Sequence, residues 1–129
     1  MRPGIVTSFV TNNDKILILR RSSMVGMSGL WAGVSGRIED GEEPLHRAKT
    51  EIFEETGMTE NDIALIAESG MIPVESHGCR WEVFPFLFEA RDPGIRLNWE
   101  NSEYRWIDAG ELVGYETVPD LQRVLASLL

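Results

Sequence analysis

The stretch Glu51-Ile52-Phe53-Glu54-Glu55 sets three carboxylates at i, i+3 and i+4, a spacing that gathers on one side only if the chain is helical there. At roughly 100° per residue the three share an arc of about 100°. The flanks carry matching signals. Pro44 suits a first helical position, Glu42 and Glu43 favour the positive end of the helix dipole, and Gly57 suits the stop. Together they predict a helix over residues 44–56. Leu45, Ala48 and Ile52 recur at i, i+3 and i+7 and give it an apolar stripe. The glutamates border that stripe and therefore stand beside the core, with Arg47 on their side one turn earlier.

By itself this cluster is unfavourable. Each like-charged pair at such spacing costs about a few tenths of a kcal/mol, and the helix C-terminus is the negative end of the dipole. A bound cation removes both penalties, and Mg²⁺ takes hard oxygens from carboxylates, water and phosphate. Gly36 and Gly41 let the preceding loop turn tightly and bring backbone oxygens towards the same place. Charge pattern alone leaves a second account open, a solvated acidic face partly paired with Arg47.

The rest of the chain reads as strands. Residues 5–10 and 15–19 form a hairpin across the turn residues Asn12-Asn13-Asp14, with Arg20 and Arg21 at its exit. Residues 22–36 read as a loop with one short strand. Longer strands are expected over 63–74 and 81–90, and Pro85 in the second demands an edge position or a bulge. A short strand over 104–108 and a helix over 121–129 complete the pattern. Many strands and two distant helices predict an α/β fold, a mixed sheet between helices.

A length of 129 residues suits a single domain over residues 1–129 that needs no metal or disulfide to fold. Lys and Arg number 12 against 21 Asp and Glu, a formal charge of −9. That balance argues against a nucleic-acid polymer as partner, while a cation still allows phosphorylated small molecules. The one cysteine, Cys79, excludes an internal disulfide and a multi-cysteine zinc site. No apolar run reaches the ~20 residues that span a bilayer, and the first residues lack a signal-peptide pattern. The expectation is a soluble, cytoplasmic protein with no membrane partner.

From Gly36 to Met58 the chain resembles the Nudix box, G-x5-E-x7-R-E-U-x-E-E-x-G-U with U aliphatic. Gly36, Glu42, Glu51, Ile52, Glu54, Glu55, Gly57 and Met58 fall in register, and Thr50 stands where the pattern has arginine. The opening strand pair with its arginines, the entry over residues 30–36 and the Glu100…Glu103…Trp106 stretch extend the likeness along most of the chain. The resemblance implies an α/β/α sandwich around a central mixed β-sheet. It also implies hydrolysis of a diphosphate bond in a nucleoside diphosphate linked to another group: a nucleoside triphosphate, a dinucleoside polyphosphate or a sugar nucleotide. In that chemistry a metal-activated water attacks phosphorus, with Mg²⁺, or Mn²⁺ in its place, neutralising developing charge.

Carried over by position, the resemblance implies Glu54 and Glu55 as metal ligands and Glu51 as either a ligand or the catalytic base. It adds the backbone carbonyl of Ser35 as a further ligand. Glu100 corresponds to an additional metal-binding or base glutamate from a loop, and Glu103 is its rival. In the family the box arginine pairs with box carboxylates, which a threonine cannot do. Lys49 is turned about 100° away on the helix, so Arg47 or Arg37 is the expected replacement. Many relatives are homodimers, and residues 81–84 or the terminal helix are the candidate interface here.

The expected substrate-binding set is Arg20, Arg21 and Trp31. Either arginine can fork onto phosphate, the bland alternative being a solvated strand end. Trp31, Trp81 and Trp99 are candidates to stack a base, although large aromatics more often build the core, as Trp106 is expected to do. His46 and His77 have no second ligand at zinc spacing, and Cys79 has no nucleophile context. Two rivals stand beside the hydrolase: a nucleotide- or partner-binding module of the same fold silenced at Thr50, and a calcium-binding or structural acidic domain. Nothing in the chain alternates Asp and Asn as an EF-hand loop does.

Overall fold

The computed structural model describes residues 3–129. Strands β1 (Gly4–Asn12) and β2 (Lys15–Arg21) pair antiparallel around Asn13 and Asp14, at φ 50° and 63°. Two successive left-handed residues make the turn whose twist matches a hairpin, and Asn and Asp tolerate that conformation better than most. There follow β3 (Trp31–Ala32), β4 (Val34–Arg37), helix α1 (Pro44–Thr56), β5 (Ile63–Glu68), β6 (Ile72–Ser76), β7 (Cys79–Ala90), β8 (Asn101–Ile107) and helix α2 (Leu121–Ala126).

All eight strands join one mixed sheet with a spine β3-β2-β1-β7-β5. β1 runs parallel to β7, and the other pairings are antiparallel. Strand alternation sends Val6, Val10, Leu17, Leu19, Phe86 and Phe88 to one face, where Ala48 and Ile52 of α1 cover them. Phe9, Ile16, Ile18, Val83 and Leu87 go to the other, under Leu121, Val124 and Leu125 of α2. The expected α/β/α sandwich is therefore present, and β2 is an unbroken apolar run over residues 16–19 because both its faces are buried. Trp106 packs half-buried on the α1 side. Among the described residues no helix is long and apolar enough to cross a membrane.

Several boundaries differ from expectation. The strand predicted over 63–74 is two strands, β5 and β6, separated by a turn with Gly70 at φ 79°. β5 pairs with Phe86–Ala90 of β7 and β6 with Cys79–Val83. Pro85 sits in the gap between them, where its missing N–H leaves no ladder bond unmade. It is thus neither at an edge nor at a bulge, but at a change of partner. Residues 22–36 hold two short strands rather than one, β8 begins at Asn101, and α2 ends at Ala126. Residues 81–84 lie in an interior strand and offer no free edge to a second copy, whereas Leu65 and Ile66 on the edge strand β5 are exposed.

Gly33 joins β3 to β4 at a close approach. A Cβ there would lie 2.7 Å from the Ser8 carbonyl oxygen, a backbone atom that cannot step aside. Gly33→Ala is expected to destabilise the fold by about 2 kcal/mol in urea denaturation, the usual range for overpacking. Gly110→Ala, with open space at its Cβ position, is the control and should change stability little.

Candidate active site

α1 stops as its sequence requires. Gly57 adopts φ 80° and its N–H caps the Phe53 carbonyl at 2.9 Å. The stop leaves Glu51 and Glu55 on the sheet side of the last two turns, only 7% and 4% exposed, while Glu54 faces solvent. Glu51 lies against Gly36 so closely that any Cβ at position 36 would collide with its carboxylate. The box glycine is thus a packing requirement between β4 and α1.

Burial is the largest influence on both buried carboxyls. It pushes Glu55 up to about 9, and the charges of Glu100 and Glu51 push the same way, against the hydrogen bond from Asn101. Asn101 Nδ2 donates to Glu55 Oε1 at 2.9 Å, whereas Oε2 is buried with no donor among the described residues. Glu51 is also raised, by burial first and then by Glu54, with Arg47 opposing.

Arg47 holds the acidic end of the site to the loop before it. Its Nε and Nη2 donate to Glu42 Oε1 and Oε2 at 2.8 and 3.0 Å, and its Nη1 donates to Glu51 Oε2 at 2.9 Å. Hydrogen bonds from Arg47 foremost, helped by the Glu39 N–H, hold the Glu42 carboxyl down at about 2. Of the two arginines expected to replace the box residue, Arg47 reaches the box carboxylates. Arg37 instead lies over the Trp81 ring, 5.3 Å from its centroid. Thr50 donates to the His46 carbonyl oxygen at 3.0 Å and contributes nothing to the acids.

β4 connects this cluster to a cavity of about 250 Å³ on the α2 face. Its alternation turns Gly36 to Glu51 and Ser35 to the cavity, which Thr7, Arg21, Ser76 and Trp81 also line. Arg21 Nε donates to the Gly26 carbonyl at 2.6 Å, which holds the following loop. Arg20 lies outside the cavity, bonded to Gly29 O at 3.1 Å and 3.6 Å from Glu103. Trp31 belongs to the α2-side core, edge-on to Tyr115 and under the Arg105 guanidinium. Its burial leaves no open face for a base, which corrects the expected stacking role. Trp99, beside Glu100, is 64% exposed. Glu100 is held by Asn98 and acts electrically on Glu55, whereas Glu103 is drawn to Arg20 and Arg105, which favours Glu100 of the two. Sequence reasoning missed Asn101, whose only signal is its place next to Glu100, and missed the cavity, foreshadowed only by the alternation at Ser35 and Gly36.

The donors here are hard carboxylate oxygens, one of them buried without a partner, and they fit a small divalent cation. Among the described residues no group of three or more acidic, histidine or cysteine side chains is already gathered for a metal. Burial and the neighbouring charges of Glu100 and Glu51 instead favour the protonated form of Glu55.

The chain matches the NUDIX domain model over residues 1–128 and belongs to that family. It is 44% identical over 48 residues to an RNA pyrophosphohydrolase of Mesorhizobium japonicum, covering 37% of this chain and 27% of the relative. This chain spans about a quarter of the length of the curated relatives it matches. The E. coli dihydroneopterin triphosphate pyrophosphohydrolase superposes with a TM-score of 0.81 at 18% identity, over 96% of this chain and 92% of that one. A C. elegans Ap4A hydrolase superposes at 0.78 and 16% identity, over 98% and 93%. At these identities the structural likeness is one of fold.

The raised Glu55 has a consequence for stability. Unfolded, this carboxyl titrates near 4.5, so between about pH 4.5 and pH 9 the folded chain keeps a proton the unfolded chain has released. The advantage is complete below that window and is given up as pH rises through it. In EDTA, Glu55→Gln should melt above the parent at pH 8 by about 4 °C or more, roughly 1 kcal/mol, with the gap closing at pH 5. A parent whose melting temperature shows no fall from pH 5 to pH 8 relative to the variant would refute this account.

Proposed function

We propose that the chain hydrolyses the diphosphate bond in a nucleoside diphosphate linked to another group, with Mg²⁺ as cofactor and Mn²⁺ able to replace it. The observation that carries this reading is the buried Glu55 carboxyl, whose Oε2 has no donor among the described residues while Glu51 and Glu100 crowd it with negative charge. Such an arrangement is costly unless a cation completes it.

Glu51, Glu54, Glu55 and the Ser35 carbonyl are the groups that would hold the ion. When bound it neutralises charge on the diphosphate oxygens and makes water more acidic. Asn101 fixes Glu55 by binding Oε1. Glu100 or Glu51 takes the proton from the attacking water, each being a carboxylate at the cluster. Water adds to one phosphorus, the bond to the bridging oxygen breaks, and two phosphorylated products leave. The cavity across β4 takes the nucleoside against Trp81, with Arg21 on its wall to meet phosphate. We place this activity in the cytoplasm.

The test is turnover across canonical and oxidised nucleoside triphosphates, sugar nucleotides and dinucleoside polyphosphates, with Mg²⁺ and a coupled phosphatase. One class should be hydrolysed, with Glu54→Gln slower by about 100-fold or more. Nucleotide binding without turnover of any class would replace the hydrolase with a binding module.

A further inference from the structure

We infer that Arg47 is the positioning residue for Glu51 in this chain, doing from one turn earlier in α1 what the arginine of the box pattern does from position 50. This rests on the hydrolytic reading of the site and goes beyond it, because the pattern itself gives position 47 no role.

Three observations carry it. The Arg47 guanidinium has 13% of its side chain exposed and is used on both sides. One edge forks onto Glu42 at 2.8 and 3.0 Å, and Nη1 takes Glu51 Oε2 at 2.9 Å. With Oε2 held, Oε1 of Glu51 is left lying over Gly36, facing the floor that β4 provides. The other cations that sequence position might suggest are occupied elsewhere: Arg37 stacks on Trp81, and Lys49 pairs with Glu60 at 3.0 Å. Thr50, in turn, spends its hydroxyl on the helix backbone at His46.

Helix geometry explains why two positions can serve one pair. Side chains on a helix lean towards its N-terminus. From position 47 an arginine reaches back to Glu42 in the loop, while Glu51, four residues on, leans back to meet it. An arginine at position 50 would lean over His46, whose Nδ1 lies 3.0 Å from Glu42 Oε2. Both routes end on the same loop carboxylate. An arginine at 47 therefore frees position 50 for a threonine.

The experiment compares the parent with Arg47→Ala, Thr50→Arg and the double variant Arg47→Ala/Thr50→Arg. Turnover is read with the best nucleotide of the panel over a range of Mg²⁺ concentrations, beside melting temperature. Arg47→Ala should lower kcat by about 10- to 100-fold with KM within about threefold, and should demand more Mg²⁺. Thr50→Arg alone should stay near the parent, and in the double variant it should restore kcat at least tenfold. Unchanged kcat and Mg²⁺ demand in Arg47→Ala would overturn the inference. So would a double variant that regains melting temperature but not kcat, since Arg47 would then be merely structural. If the parent turns over nothing, the hydrolytic reading fails, and Mg²⁺-induced stabilisation becomes the readout. Its loss in Arg47→Ala and return in the double variant would support the inference, and any other pattern would end it.

Discussion

Glu51 and Glu55 are buried where α1 meets the sheet, and a carboxylate out of water must find donors or a cation or else keep its proton. Much of the surrounding structure answers that requirement. Gly36 gives up its side chain so that Glu51 can lie against β4. Asn101, at the start of β8, serves one oxygen of Glu55, and Arg47 serves one oxygen of Glu51. The remaining Glu55 oxygen has no hydrogen-bond donor among the described residues, a demand that a cation would meet. A surface helix with the same three glutamates would have no comparable demand, because water would meet it.

The sheet connects this demand to the cavity on the α2 face. β4 is four residues long, yet its alternation faces the glutamates with Gly36 and the cavity with Ser35. The edge of β4 therefore has a buried carboxylate on one side and an apolar recess on the other. The pairing of β4 with β1, and of β1 with β7, sets this edge among the most buried strands. The recess and the acidic helix consequently keep a fixed relation.

The spacing of residues 36–58 revealed the helix, its stop, the carboxylate arc and the glycine before it, since each depends on neighbours within a few turns of chain. Hydrophobic patterning revealed most strands, whereas the burial of both faces of β1 and β2 came only from the layers packed on them. The edge or bulge that sequence suggests for Pro85 is absent because its tolerance depends on where β5 hands over to β6, across the sheet. Trp31 is a stacking candidate in sequence because an aromatic looks alike there whether its neighbours are solvent or Tyr115 and Arg105. Asn101 escaped notice because it is 46 residues from the glutamate it serves.

The chain alone therefore determined the family, the layered α/β arrangement and the identity of the acids. These follow from local periodicity and from a dense motif, and both survive any choice of tertiary detail. Only the folded structure decided which arginine pairs with Glu42 and Glu51, which of Glu100 and Glu103 acts on Glu55, and which carboxyl oxygen lacks a donor among the described residues. Each of those outcomes is set by the packing of α1, β4 and β8 against one another. Burial and hydrogen bonding depend on what lies within a few ångströms in space, and sequence order does not supply that distance.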